Sequence, residues 1–287
     1  MATSGIRPST EGALLLKSLW DPAIKLKAQE EGVLAQDIPK GNVEKIGDTW
    51  YIRILPTVTI RSGASTDQYD DESLTWETGT VTRVSGTPTR KYAAVQFPVS
   101  MTEALVSADK AAMLSGYRDQ GTAGLVEALD IGAAGLWANL ITNVKGPFDA
   151  SKTTLLSMRT SLKTSAKKHA KKGSNIHVVY HTSQDTFVSS ISEIMNADAR
   201  GGGDTPNVDG IIVKAWGMTL SDTGSIINSG GSYKNLMFLD SAFAKAFNVE
   251  PGIYNQGQVG LVYRIRFYME YSFVEVFDED ALVWQSV

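Results

Sequence analysis

The strongest pattern in this chain is a long alternation of apolar and polar residues between positions 259 and 277. A period of two predicts a β-strand with one apolar face and one mixed face. At roughly 3.3 Å per residue the strand would reach about 60 Å, whereas a compact chain of this size has a diameter of about 50 Å. The strand therefore either bends strongly or belongs to an elongated subunit, and we favour the second. The apolar positions are Tyr263, Ile265, Phe267, Met269, Tyr271 and Phe273, and the mixed positions are Arg264, Arg266, Tyr268, Glu270 and Ser272.

The first hundred residues combine short helices with a long extended ribbon. Residues 11–20 and 22–35 predict two amphipathic helices, either an ordinary helical pair or an arm that packs on a neighbouring subunit. Period-two segments follow between 48 and 99, interrupted by a polar, acidic stretch at 62–73 and a turn signal at 85–88. Such a ribbon has too little core to be stable alone in water, so we expect it to lie on a partner surface.

Residues 100–143 predict two helices, at 101–113 and 117–141. The second contains Gly121, Gly124, Gly132 and Gly135. Each glycine inside a helix costs about 1 kcal/mol relative to alanine. We therefore expect another element to approach the helix backbone closely at these positions.

The rest of the chain mixes helices and strands. Helices are predicted at 153–172, 183–195 and 241–247, and strands at 176–180, 211–215 and 236–239. No regular β-α-β repeat joins them, which indicates the α+β class.

Composition narrows the class of protein. The chain has 43% apolar and 20% charged residues, as in folded soluble proteins, and its net charge of −4 gives no overall basic field. The absence of cysteine excludes disulfides, thiolate nucleophiles and cysteine-based zinc sites. No apolar run is long enough to span a membrane, and the start lacks the pattern of a signal peptide. We expect a protein made in the cytoplasm with no membrane partner.

Catalytic motifs are missing from the sequence. No phosphate-binding loop, dinucleotide-binding fingerprint, zinc-protease motif or nucleophile elbow is present. His177 and His181 are four residues apart, which in a strand separates them by about 13 Å and prevents them from sharing a metal. We expect no catalytic, cofactor-binding or metal-binding residues. An enzyme of unidentified class, with the α/β lobe as its active domain, is an alternative.

A basic cluster ends the helix predicted at 153–172. Cations at a helix C-terminus complement the helix dipole, and this explains the cluster without any ligand. The alternative is contact with nucleic acid. The residues are Lys167, Lys168, Lys171 and Lys172.

The order of these segments resembles that of the major capsid proteins of tailed double-stranded DNA bacteriophages, which share the Hong Kong 97-type fold. The resemblance is strongest in the second half. Residues 175–187 resemble the family's strand followed by a polar-capped helix, 208–215 its glycine-preceded apolar strand, and 235–243 the strand and short helix that follow. Residues 262–277, with the exit at 280–283, resemble its final long strand. The layout matches over nearly the whole chain, although no single motif is diagnostic.

The resemblance implies a division of the chain. Residues 1–45 would form the N-terminal arm and 46–99 an extended β-hairpin loop. Residues 100–173 and 256–287 would form the peripheral domain, with a long spine helix and the long strand, whose mixed face would contact the spine helix or a neighbouring subunit. Residues 174–255 would form the α/β axial domain. The only lysine between 48 and 98 is Lys91, away from the acidic tip, so we do not expect covalent cross-linking through this loop.

The resemblance also implies function and partners. We expect a structural protein that assembles into the hexamers and pentamers of an icosahedral head around double-stranded DNA, with a separate scaffolding protein, a portal and a cement or decoration protein as partners. An encapsulin-like compartment shell is the alternative within the same fold. Charges of the loop are expected to pair between subunits; they are Arg61, Asp67, Asp70, Asp71, Glu72, Glu77, Arg83 and Arg90.

Overall fold

The computed structural model describes residues 37–41, 43–46, 49–54, 82–98, 108–137, 140, 143–167, 169–170, 174–191, 207–208, 211–212, 214–259 and 262–286. The helices predicted at 11–20 and 22–35 and the acidic stretch at 62–73 lie outside these residues.

The described residues form three α-helices and a larger number of strands. The helices are α1 (Ala108–Trp137), α2 (Lys152–Ala166) and α3 (Asp185–Ser189), with 3-10 turns at Thr182–Gln184 and Asp278–Asp280. The strands are β1 (Val43–Ile46), β2 (Thr49–Ile54), β3 (Thr82–Gly86), β4 (Thr89–Pro98), β5 (Val144–Lys145), β6 (Ile176–His181), β7 (Asn207–Val208), β8 (Ile211–Ile212), β9 (Lys214–Ala215), β10 (Met218–Thr223), β11 (Asn228–Ser229), β12 (Ser232–Leu239), β13 (Phe243–Val259), β14 (Val262–Glu275) and β15 (Ala281–Ser286).

A mixed central sheet forms the α/β part of the fold. Its strand order is β5-β15-β12-β6-β10-β9, with β11 added beside β12. The β6–β10 and β5–β15 pairs are parallel, and β12 runs antiparallel to both β6 and β15. Helix α2 covers one face through Leu155, Met158 and Leu162, which pack with apolar side chains of β6, β12 and β15. Both faces are covered, which explains why β12 ends in the continuous apolar run 236–239.

Helix α1 joins the two main sheets of the molecule. Its C-terminal part packs on the other face of the central sheet, where Ala133 and Ala134 meet Phe238 and Val283. Its middle part packs through Leu125 and Leu129 on the three-stranded antiparallel sheet β13-β14-β4. One helix of 30 residues therefore packs against both sheets.

The structure confirms the long predicted strand, although β14 is shorter than the predicted range of 259–277. Strand β14 has 14 residues, which at roughly 3.3 Å per residue gives about 46 Å. It pairs with β4 on one side and with the preceding strand β13, of 17 residues, on the other. The helix predicted at 241–247 is wrong, because this segment is the start of β13. Its alanines favour a helix locally, but pairing with residues 271–275 determines the structure.

The apolar face of β14 packs on α1, and the mixed face lies on the opposite side of the sheet. The expectation that the mixed face contacts the long helix is therefore wrong. Near its C-terminal end this face is covered by the end of β3, since a Cβ added at Gly86 would lie 2.5 Å from Cγ2 of Val274. Near its N-terminal end Arg264 and Arg266 are exposed.

The described part of the ribbon forms a small separate sheet of order β1-β2-β3. The chain leaves it at Thr87 and Pro88, where the sequence predicts a turn, and enters β4 of the three-stranded sheet. No side chain described in β1, β2 or β3 is buried. This agrees with the prediction of a ribbon without a core of its own.

Three predicted helices differ in extent. Helix α1 runs unbroken through Ser115 and Gly116, where the sequence predicts a break between two helices. Helix α2 ends at Ala166 rather than at 172, because Lys167 adopts a φ of 34°. The helix predicted at 183–195 is a 3-10 turn followed by the five residues of α3 within the part that the structure describes.

Candidate assembly surfaces and charged clusters

Two of the five glycines in α1, Gly121 and Gly132, lie directly against aromatic rings of β14. A Cβ added at Gly121 would lie 2.6 Å from Cδ2 of Phe267, and one at Gly132 would lie 2.7 Å from Cε2 of Tyr271. The Tyr271 hydroxyl also donates a hydrogen bond of 3.0 Å to the backbone oxygen of Ala128. The predicted close approach is confirmed at these two positions.

The same prediction is wrong at Gly124 and Gly135. A Cβ at either position would have no described neighbour within 4 Å. Gly135 and the half-exposed Ile131 instead line a groove of about 280 Å³ between α1 and the start of β4.

The face of the β13-β14-β4 sheet that is turned away from α1 carries exposed tyrosines and arginines. Tyr254 and Arg266 are register partners on β13 and β14, and Tyr92 on β4, the register partner of Tyr268, is a diagonal neighbour of Arg266. The Arg266 guanidinium carbon lies 5.6 Å from the centre of the Tyr92 ring, within range of a cation–π contact. Tyr92 is 69% exposed and Tyr254 is 52% exposed. Tyrosine and arginine are enriched in protein–protein interfaces, so this exposed face is a candidate assembly surface.

Arg90 contacts a carboxylate of its own chain. Its Nη2 atom donates to Oε1 of Glu270 at 3.3 Å, and Asn248 donates a short hydrogen bond to the other oxygen of that carboxylate. The Glu270 side chain is largely buried, whereas that of Arg90 is 76% exposed. Arg90 therefore keeps most of its surface for other contacts.

Arg83 lies on the small sheet directly opposite Arg53. Arg53 donates two hydrogen bonds, of 2.9 and 2.7 Å, to Oε2 of Glu44. Arg83 is exposed and has no acidic partner among the described residues. The other predicted contact residues lie outside the described part of the chain; they are Arg61, Asp67, Asp70, Asp71, Glu72 and Glu77.

The basic cluster after α2 is described only in part. Lys167 is exposed and forms the C-cap of the helix, where its amide donates to the Lys163 oxygen. His169 faces the buried Asp280, at 2.8 Å from Oδ2, and belongs to the packed fold. Lys168, Lys171 and Lys172 lie outside the described residues.

The structure brings together a cluster around His177 that the sequence does not predict. Nε2 of His177 lies 2.7 Å from Oδ1 of Asp240, and Nδ1 lies 3.3 Å from Oδ1 of Asp37. Burial alone would lower the pKa of His177, but the hydrogen bonds and charges of Asp37 and Asp240 outweigh it and raise the pKa above its ordinary value. Positions 37, 177 and 240 are far apart in sequence, so no spacing rule could group them.

This cluster does not resemble a catalytic or metal site. Both ring nitrogens of His177 face carboxylates, so neither is directed at a substrate. Within the described ranges, no group of three histidine or acidic side chains is arranged to hold a metal. No described helix is long and apolar enough to cross a membrane.

No protein-family model matches this sequence. No curated protein matches it either. Several solved structures, however, are similar in fold. A structure from Mycobacterium phage Che8 has a TM-score of 0.63 and 16% identity, over 88% of this chain and 90% of that one. The capsid structure of the cyanophage P-SCSP1u has a TM-score of 0.61 and 11% identity, over 88% and 87%. The fold is that of a phage capsid subunit.

The capsid fold is also similar to a virus-like particle from Pyrococcus furiosus. That structure has a TM-score of 0.60 and 9% identity, and the match covers 93% of this chain and 98% of that one. The resemblance inferred from the order of segments is thus confirmed at the level of the fold. The division into arm, loop, peripheral domain and axial domain stays a prediction.

Proposed function

We propose that this chain is the major capsid protein of a tailed double-stranded DNA bacteriophage. It assembles with copies of itself into the hexamers and pentamers of an icosahedral head. The observation that carries the proposal is the similarity in fold to a cyanophage capsid structure over 88% of the chain. The role is then structural, and its mechanism is assembly without turnover.

The small sheet supports self-assembly on physical grounds. Its described side chains are half-buried or exposed, although Trp50, Tyr51 and Ile52 follow one another on its central strand. Burying apolar surface contributes about 25 cal/mol per Å². A sheet that buries so little within its own chain gains stability when it lies on a neighbouring subunit.

Charged groups of the extended loop are proposed to pair across subunit boundaries. Arg83 and Arg90 are exposed, and Arg61 is a third arginine in the sequence of the loop. Their partners would be Asp67, Asp70, Asp71, Glu72 and Glu77. Each such pair is worth about 0–1 kcal/mol, but a shell repeats every pair many times.

The domain division also belongs to the proposal. The arm at 1–45, the loop at 46–99, the peripheral domain at 100–173 and 256–287, and the axial domain at 174–255 are taken from the family layout. Sheet membership suggests three refinements, because β5 and β15 pair within the central sheet, whereas β13 pairs with β14 in the other main sheet. We therefore assign residues 144–145 and 281–286 to the axial domain and residues 243–255 to the peripheral domain.

The remaining partners are inferred from the proposed role. Lys167, Lys168, Lys171 and Lys172 would contact packaged DNA weakly and without sequence preference. A scaffolding protein, a portal and a cement or decoration protein would act with the shell. The chain would be made in the host cytoplasm and reside in the virion.

Negative-stain electron microscopy of the purified protein tests the proposal. We expect closed particles, rings or sheets of repeating subunits, with a matching high mass by light scattering. Arg266→Glu, on the exposed face of β14, should reduce assembly while leaving the circular dichroism spectrum unchanged. A folded monomer with no tendency to associate over a range of salt and protein concentrations would overturn the proposal.

A cellular compartment shell is the second candidate. The match to the virus-like particle from Pyrococcus furiosus covers 98% of that chain, so the same subunit shape serves that assembly. Particles that copurify with a protein cargo would favour this candidate, and particles that package DNA would favour the first. An enzyme of unidentified class has no candidate site among the described residues.

A further inference from the structure

Residues 37–41, which precede β1, are attached to the rest of the fold by three kinds of contact. Ile38 is fully buried in the cluster between α1 and the central sheet. Backbone hydrogen bonds join Lys245 to Pro39 at 2.9 Å and Gly41 to Lys245 at 3.0 Å. Asp37 provides the third contact, through its carboxylate and the His177 ring.

We propose that His177 is a pH-sensitive anchor for residues 37–41: its protonated ring holds this segment on the fold, and its neutral ring loosens it. The proposal concerns contacts inside one chain and does not depend on the shell function. It rests on the placement of one imidazole between two carboxylates that belong to different elements.

The geometry favours a doubly protonated ring. An imidazolium donates from both nitrogens, whereas a neutral imidazole has one N–H and one lone pair. With both nitrogens facing carboxylate oxygens, at 2.7 and 3.3 Å, the neutral ring necessarily turns a lone pair toward one of them. That arrangement is repulsive, so deprotonation breaks one contact.

The contact that breaks is the one to Asp37. The Asp240 contact is shorter and is an aligned hydrogen bond, so the neutral ring keeps its remaining proton on Nε2. The Nδ1 contact to Asp37 is longer, at 3.3 Å, and has poorer hydrogen-bond geometry. Asp37 is only 14% exposed, so water compensates little when this pair is lost.

The uncharged groups around the ring cannot replace the positive charge of protonated His177, whereas Lys245 is a second cation near Asp37. Ser221 of β10 donates to Asp37 at 3.4 Å, and Asn175 donates to Asp240 at 3.3 Å. The Phe238 ring stacks on His177 at 5.1 Å and cannot titrate. Lys245 of β13 lies in the field of Asp37, of Lys40 and of Asp130 on α1, and its pKa is lowered to about 8, mainly by burial.

The sign of the pH effect follows from the raised pKa of His177. The ring binds its proton more tightly in the folded protein than at the ordinary value of 6.5. The anchor is therefore fully present below pH 6.5, and it is lost as the pH rises through the raised value. Histidine is the side chain suited to this range.

Hydrogen–deuterium exchange of the full chain between pH 5.5 and 8.5 tests the proposal. After correction for the base-catalysed rate, protection of the Gly41 and Lys245 amides should be constant below pH 6.5 and fall several-fold above it. In His177→Gln this fall should vanish. His181→Gln is the matched control, on the same strand and without a carboxylate partner among the described residues, and should behave as wild type.

Asp37→Asn provides an independent variant. An asparagine amide can donate to the Nδ1 lone pair, so the neutral ring should hold the segment and the fall should again be absent. A flat wild-type profile would overturn the proposal. So would a fall that persists in Asp37→Asn, or one that persists in His177→Gln and is centred near pH 8, which would assign the effect to Lys245. If His177→Gln does not fold, the wild-type and Asp37→Asn profiles decide.

Discussion

The ring of Tyr271 on β14 occupies the space that a side chain at position 132 of α1 would fill. A Cβ added at Gly132 would lie 2.7 Å from Cε2 of Tyr271, closer than ordinary van der Waals contact. The Tyr271 hydroxyl donates to the Ala128 oxygen on the same helical turn at 3.0 Å. This pair fixes how closely the long helix and the long strand pack.

Gly132→Ala should therefore destabilise the protein by about 1–3 kcal/mol, the usual cost of overpacking. Either the ring of Tyr271 or the helix has to shift to admit the added methyl group. The free energy of unfolding, measured by urea titration at neutral pH, checks this. Gly121→Ala should have a similar effect, because the Phe267 ring lies 2.6 Å from the added atom.

Gly135→Ala is the matched control on the same helix. A Cβ there would have no described neighbour within 4 Å, so the change should stabilise the protein by about 0.5–1 kcal/mol through helix propensity. Equal destabilisation by both substitutions would contradict the packing described for Tyr271.

Replacing Glu270 should lower the free energy of unfolding more than replacing Arg90, although the two residues form one ion pair. The Glu270 side chain is 12% exposed and accepts hydrogen bonds from Arg90 and Asn248, so Glu270→Ala should cost about 1–3 kcal/mol. Arg90 is 76% exposed, so Arg90→Ala should cost about 0–1 kcal/mol. Urea unfolding of the two variants measures the difference, and a larger loss for Arg90→Ala would contradict the burial assigned to this pair.

Lys245 should make stability rise with pH in the alkaline range. Burial and the charge of Lys40 lower its pKa from 10.5 to about 8, against the opposing charges of Asp37 and Asp130. Between these values the unfolded chain binds the proton and the folded chain does not, so the contribution of Lys245 to stability increases as pH rises from 8 to 10.5.

Lys245→Met removes this titration. The free energy of unfolding of the variant relative to wild type should be most favourable below pH 8 and should become less so as the pH approaches 10.5. Lys163→Met, at an exposed position of α2, is the control and should show a constant difference. A constant difference for Lys245→Met as well would show that Lys245 titrates as it does in the unfolded chain.

Asp70→Lys should weaken the assembled shell without affecting the fold of the subunit. The substitution places a cation where the proposed pairing with Arg83 or Arg90 requires an anion, so particles should dissociate at lower salt than wild type. Light scattering across a salt titration measures this. Glu127→Lys, the same charge change at an exposed position of α1, is the control. Unchanged assembly and salt resistance in Asp70→Lys would count against the pairing.

Local pattern was sufficient for some elements and insufficient for others. The alternation from 263 to 273 predicts β14, because each apolar residue on one face packs against α1. The helix predicted at 241–247 is a strand instead, because its alanines carry no strong strand preference and its pairing partners, residues 271–275, are distant in sequence. The lysines after Ala166 suit a helix C-terminus and so predict a longer α2, whereas in the structure the helix ends at Ala166 and His169 contacts Asp280.

The sequence by itself determined the α+β class, the long strand, the glycine-bearing helix and the order of segments that indicates the capsid fold. These features follow from periodicity and composition, which can be read from the sequence without knowing any contact between distant residues. The tertiary structure alone decided which face of β14 meets the helix and which glycines need their small size. It alone also brought Asp37, His177 and Asp240 together. These relationships depend on contacts between residues distant in sequence, and such contacts form only when the sheets and α1 pack together.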